Sequence, residues 1–398
     1  MAGSELPHRD SPDIYLVPGT PEEHAAQTIA NSEEWRGALS LDAYLRREEV
    51  LLAQDLTRDG GLTAWALVYQ PAQGGQRQVL CGCESIKKKA LMARGGKVED
   101  VLTHAIASVF CPPRYRSRGY AGRMMQELGP RLKTWQVEEG KQVPFSVLFS
   151  DIGKEFYAAR GWQPFPSSHV ALPAGVTLHE SSLPSVTALR ADGQDLAELC
   201  AIDERLIRRR LAKSDGSGRL AVAIVPDKVT MDWHHARQDF VATELHGGER
   251  PSFLDQGNGA MVEYEDGKRA WIIWQRVWTS PQEESPNTLH IMRLVVEDED
   301  FSDFAAANEE EALKLKSSPL IKGIAALLAR AQEVADDSYM KQIDIWNPSS
   351  TILAAAKLIN GKATVVHREK ESIASLMWYG ESSGRDVDWL FNEKYGWC

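Results

Sequence analysis

The chain has 398 residues, a length that suits two ordinary cores better than one. Its hydrophobic share of 43% and charged share of 25% are those of a globular protein, and no apolar run reaches the ~18 residues that cross a bilayer. A net charge of −11 argues against nucleic acid as the main partner.

In chain order, residues 1–12 read as a frayed polar arm without the apolar segment of a signal peptide. Asp13–Val17 reads as a strand. Thr20 followed by Glu23 is a capping-box pattern opening a helix to about Ser32, and Leu41–Leu56 carries apolar residues at helical spacing. Ala64–Tyr69 and Gln78–Ser85 read as strands turned at Gln73-Gly74-Gly75. The run Lys87-Lys88-Lys89 reads as a solvated face. Val98–Cys111 is the next strand. The five cysteines, Cys81, Cys83, Cys111, Cys200 and Cys398, are odd in number and scattered, which points to a reducing compartment; a cytoplasmic setting is expected.

The chain is organised around Val109–Gly122, VFCPPRYRSRGYAG. The strand stops at two prolines, a basic turn follows, and an amphipathic helix begins near Gly119, with Met124, Met125, Leu128 and Leu132 along one face. Free N–H groups and the helix dipole at such a start favour an anion. Arg116, Ser117, Arg118, Gly119, Tyr120, Ala121 and Gly122 therefore read as a cradle for a diphosphate. The small residues Gly119, Ala121 and Gly122 allow close approach. Neither GxxxxGK[ST] nor GxGxxG is present.

Downstream, Val143–Phe149 reads as a strand buried on both faces. A short helix, KEFYAARGW, follows, with Gly161 as its left-handed cap. Arg116-x-x-Gly119-x-Ala121 followed by Phe156-Tyr157 and Arg160-Gly161-Trp162 resembles the GNAT N-acetyltransferase superfamily over residues 13–172. Ser108–Gly122 with VLFSDIGKEFYAARGW further resembles the fungal lysine N6-acetyltransferase family. That resemblance implies acetyl-CoA as cosubstrate and the side-chain amine of free L-lysine as acceptor, in lysine degradation. The expected fold is α/β with a mixed sheet: a catalytic GNAT domain over 1–172, then a second domain over 173–398 that walls the substrate pocket. A proline- and serine-rich stretch near 164–185 marks the join. The later half repeats strand (289–296), helix (320–335), strand (342–346), helix (349–359) without a second RxxGxA, as a degenerate GNAT-like unit or as an unrelated α+β cap, and Ser372–Trp378 reads as a further strand.

Direct acetyl transfer needs positioning more than reactive groups. Backbone N–H groups at Val109, Phe110 and Cys111 would polarise the thioester carbonyl. By the resemblance, Tyr157 would stand near the sulfur as acid or hydrogen-bond donor. The lysine amine, with a reference pKa of about 10.4, needs a base. His104, in the strand before the loop, is the first candidate and Glu84 the second. The terminal carboxylate of Cys398 is a third, because Tyr395-Gly396-Trp397 is aromatic enough to pack. Met231–Gln238 reads as a short helix. Its adjacent His234 and His235 point to different sides of any element, so no metal is expected. Trp271, Trp274 and Trp278 read as core. A polyamine, a protein lysine or an amine-bearing drug is the alternative acceptor, and a non-catalytic acyl-CoA scaffold the alternative class.

Overall fold

The computed structural model describes residues 6–71, 76–138, 140–175, 183–190, 193–213, 219–279, 287–381 and 386–397. The expected turn at Gln73-Gly74-Gly75 and the terminal Cys398 lie outside them. The first half runs β1 (Ile14–Pro18), α1 (Pro21–Trp35), α2 (Leu41–Leu52), β2 (Leu62–Tyr69), β3 (Gln78–Arg94), β4 (Lys97–Phe110), α3 (Tyr120–Leu132), β5 (Phe145–Ser150), α4 (Glu155–Ala158), β6 (Gln163–Pro164) and β7 (Ser168–Pro173). The second half runs β8 (Val186–Ala188), α5 (Gln194–Ala212), β9 (Leu220–Ile224), α6 (Lys228–Leu245), β10 (Gly259–Glu265), β11 (Lys268–Val277) and β12 (Thr288–Val296). It continues with α7 (Glu309–Lys314), α8 (Pro319–Asp337), β13 (Gln342–Trp346), α9 (Ser350–Ile359), β14 (Thr364–His367), β15 (Ile373–Trp378) and β16 (Val387–Trp389).

Local chemistry explains the helix starts. The Thr20 hydroxyl accepts from the Glu23 amide, and the Glu23 carboxylate accepts from the Thr20 amide. Ser318 caps α8 with Pro319 in its first turn. Gly161 closes the turn after α4 at φ 105, as expected.

Two mixed sheets result. The first has the order β1-β2-β3-β4-β5-β15-β6, with β9 on the outer half of β3 and β16 on β9. The second has the order β14-β7-β13-β12-β11-β10-β8. The halves exchange strands. β7, from the first half, lies between β13 and β14, while β15, from the second, lies between β5 and β6. Each sheet covers one face with its own helices. Met124, Met125, Leu128 and Leu132 of α3 pack on Leu148 and Ile106. Ile324, Leu327 and Leu328 of α8 pack on Val262 and Ile272. A third cluster joins the sheets, with Phe145 and Val147 from one and Trp271, Ile273 and Met292 from the other. β5 and β11 are thus buried on both faces, which their near-continuous apolar sequences require.

Three expectations change. β3 and β4 form one long hairpin turned at Gly95-Gly96, so Lys87-Lys88-Lys89 is strand. Strand alternation then splits the run: Lys88 is buried and its Nζ donates to the Gly396 carbonyl at 3.2 Å, while Lys87 pairs with Glu138 at 2.8 Å. Residues 6–12 are not frayed. Tyr120 Oη donates to the Pro7 carbonyl at 2.6 Å, and Arg123 donates to the carbonyls of Arg9 and Ser11. The helix read over Met231–Gln238 is the longer α6, capped by Asp227.

Candidate active site

β4 pairs in parallel with β5 from Thr103↔Phe145 to Ile106↔Leu148 and no further. Just beyond, the β3–β4 register shifts between Gly82↔Phe110 and Glu84↔Ala107, and Ser108 adopts φ 52. This bulge bends β4 away from its neighbour. The strands part, and Val109, Phe110 and Cys111 line one wall of a cavity of about 980 Å³. Arg116, Ala121 and Tyr157 line it too. Arg116 is fixed by its Nε bond to the Cys111 carbonyl at 2.9 Å, and it reaches Glu34 at 3.2 Å.

Gly119, at φ 83, caps the start of α3, and Ser117 is also left-handed at φ 61. Ser117, Arg118 and Gly119 border a second, open cleft of about 800 Å³, shared with Leu6–Arg9 of the N-terminal arm. The space above the small residues is not empty. A Cβ on Gly119 would lie 2.6 Å from Arg9 Cδ, and one on Gly122 would lie 2.6 Å from an Arg160 guanidinium nitrogen. Two further arginines therefore stand over the helix start, a setting that fits an anionic diphosphate. The Tyr120 side chain turns inward onto Pro7 and Tyr115, so only its backbone belongs to the rim.

Tyr157 is buried against Phe156 and borders the cavity. Burial, then the neighbouring Cys83 and Asp151, pushes its phenol well above the ordinary range, so it stays protonated.

Across from it stands a cluster from three elements. His24 Nε2 of α1 lies 2.6 Å from Glu84 Oε1 of β3, and Ser108 Oγ of the bulge donates to Glu84 Oε2 at 2.7 Å. All three border the cavity. Burial pushes the Glu84 carboxyl up, but the His24 and Ser108 hydrogen bonds outweigh it and hold the group below its ordinary value. His24 moves up, chiefly through its bond to Glu84 and against its own burial.

His104 is elsewhere. It is fully buried beneath the end of α3, and its Nε2 lies 3.1 Å from the Trp135 carbonyl. Burial lowers its pKa to about 4. It does not border the cavity described above. Glu84, the second choice from sequence, does border it, beside a histidine that the sequence did not single out. His234 and His235 bond separate carbonyls, of Tyr395 and Trp274. Trp271, Trp274 and Trp278 are core. Among the described residues no group of three His, Cys, Asp or Glu side chains is arranged for a metal, and no helix is long and apolar enough to cross a membrane.

The second half closes the cavity with Trp233 and Arg237 of α6, Thr279, Glu371 and Trp397. Trp233 and Arg237, four apart, share a helix face; that spacing was visible in the sequence. A smaller cavity of about 260 Å³ lies apart, lined in part by Arg293, Asp203 and Glu393. There Arg293 bridges both acids.

A family model described as the LYC1 GNAT-like C-terminal domain matches residues 169–398, more than half of the chain. The chain belongs to the LYC1-like GNAT family. It is 24% identical to a lysine acetyltransferase of Yarrowia lipolytica over 283 residues, covering 62% of this chain and 68% of that one. It is 22% identical to the uncharacterized protein YGR111W of Saccharomyces cerevisiae over 429 aligned positions, covering 96% and 97% of the two chains. Among solved structures, a GCN5-related N-acetyltransferase from Kribbella flavida aligns at 16% identity with a TM-score of 0.48, covering 92% of this chain and 70% of that one. The GNAT family expected from the sequence thus holds for this LYC1-like chain. So does the GNAT-like character of its second half, which the unrelated cap is not.

Proposed function

We propose that the protein transfers acetyl from acetyl-CoA to the side-chain amine of free L-lysine, with chemistry on residues 1–172 and a substrate wall from 173–398. One observation carries the proposal. A single cavity is bordered by the parted end of β4, the phenol of Tyr157 and the Glu84–His24–Ser108 cluster. Acetyl-CoA would supply the activated thioester, its diphosphate at Arg116–Gly122 and its carbonyl beside the backbone of Val109, Phe110 and Cys111. The likeness to a protein called a lysine acetyltransferase supports lysine as acceptor, and a place in lysine breakdown is proposed with it.

The roles follow from chemistry. An ammonium cannot attack a thioester, so the amine must first lose a proton. With Glu84 ionised and His24 neutral, the pair can take that proton, Ser108 holding the far carboxylate oxygen in place. Attack forms the amide bond and breaks the carbon–sulfur bond. Tyr157, kept protonated by burial, hydrogen-bonds the departing sulfur. Holding the partners together supplies most of the rate.

The test is thiol release from acetyl-CoA with a panel of amines, repeated with Tyr157→Phe. Lysine-dependent release, with turnover reduced in the variant more than CoA affinity, is expected. Release with polyamines or peptides but not lysine would move the acceptor. CoA-dependent thermal stabilisation without release from any amine would leave a scaffold.

A further inference from the structure

Of the arginines that border the cavity, one stands without a carboxylate among the described residues. The arginines are Arg47, Arg116 and Arg237. Arg116 has Glu34 at 3.2 Å, and Arg47 is paired with Glu48, which takes both its Nε and its terminal nitrogen on one oxygen. Arg237 has no carboxylate within ion-pair distance and no hydrogen-bond acceptor among the described residues. Its recorded contact is the Trp397 ring, 5.7 Å from the guanidinium carbon. Burial, then the neighbouring Arg47, pulls its pKa down to about 9, which still leaves it charged at neutral pH. A guanidinium held this way, beside two arginines that do have carboxylate partners, is costly unless an anion completes it.

We propose that Arg237 is the anchor for the carboxylate of an α-amino-acid acceptor, resting on the acetyl-transfer reading above. The fork of a guanidinium matches a carboxylate with two parallel hydrogen bonds. The anchor lies on α6 beside Arg47 and Tyr44 of α2, whereas the diphosphate cradle is at the start of α3. The acceptor is therefore gripped at one end by Arg237 and offers its far amine to the Glu84–His24 pair. Trp233, one turn before Arg237 on the same face, gives an apolar wall for the chain between.

The experiment compares L-lysine with 1,5-diaminopentane, which keeps the distal amine and lacks the carboxylate. In the wild-type chain kcat/KM should favour lysine. In Arg237→Gln that preference should fall roughly 10- to 100-fold, through the KM for lysine, while the KM for acetyl-CoA stays. Arg237→Lys should restore part of it. Equal losses for both amines would make Arg237 structural and overturn the proposal. A raised KM for acetyl-CoA with an unchanged lysine preference would assign it to CoA and overturn it equally. Calorimetric titration of both chains with the two amines separates this from the function itself. If the wild type acetylates no amine, the acetyl-transfer reading falls. Weaker lysine binding to Arg237→Gln, with diaminopentane binding unchanged, would still support the anchor; no binding of lysine to the wild type would end it.

Discussion

Glu84 keeps its charge in a buried place because a histidine 2.6 Å away and a serine 2.7 Å away accept the burden that water would otherwise carry. The same bond raises His24, so the pair is ready to accept a proton only above that raised value. The rising limb of kcat/KM against pH should therefore report His24, above the ordinary histidine range. Removing the carboxylate with Glu84→Gln deletes the largest raising cause. Burial, which lowers His24, then dominates over the weaker attraction of Glu48, so the limb should move to lower pH. The plateau should fall by about 10²-fold, the usual contribution of a positioned base. An unmoved limb with an unchanged plateau would remove the pair from the mechanism. Sequence made half of this legible. Glu84 could be suspected as a carboxylate ending a strand, but His24 lies 60 residues away on another element. No local pattern links the two; only the packing of α1 on the sheet does. His104 was the more attractive choice because it is adjacent to the loop in sequence. Four residues along a strand, however, carry it well away from the bulge.

At the scale of elements, the start of α3 was the most legible feature, since its strand stop, basic turn and helix start are all local. Gly119 has φ 83, a conformation that costs a side-chain-bearing residue about 1–2 kcal/mol, and the position of its missing Cβ is filled by Arg9. Gly119→Ala should therefore lower stability by about 1–2 kcal/mol and raise the KM for acetyl-CoA, because Arg9 must leave the cradle. Thermal melts with and without CoA would read both. A variant with the wild-type melting point and the wild-type KM would show that neither the turn nor the arm matters there. The arm itself could not be read in advance. Its hold on α3 uses backbone carbonyls of Pro7, Arg9 and Ser11, which any sequence offers. Likewise, Lys87-Lys88-Lys89 looks solvated until it is known that the strand runs on to Arg94 and puts Lys88 under the C-terminal tail.

At the scale of the whole molecule, periodicity finds strands but not their sheets. Ser372–Trp378 was readable as a strand; that it completes the first half's sheet was not. β15 pairs with β5 over six residues, from Ile373↔Ser150 to Trp378↔Phe145, and β9 covers the outer half of β3 from the second half as well. In return β7 leaves for the second sheet. A division near residue 172 is thus proposed for function and does not describe an independent folding unit. Expressed alone, residues 1–172 would expose an unpaired β5 edge with Phe145 and Val147, both fully buried in the intact chain, and β7 would have no sheet to join. The fragment should aggregate or remain molten, and its refolding should require the 173–398 fragment in trans. The intact chain should melt in one cooperative transition, because the cluster shared by Phe145, Val147, Trp271 and Met292 couples both sheets. A soluble 1–172 fragment with native-like circular dichroism, binding CoA with the affinity of the whole chain, would show that the exchanged strands decorate the first half and do not complete it.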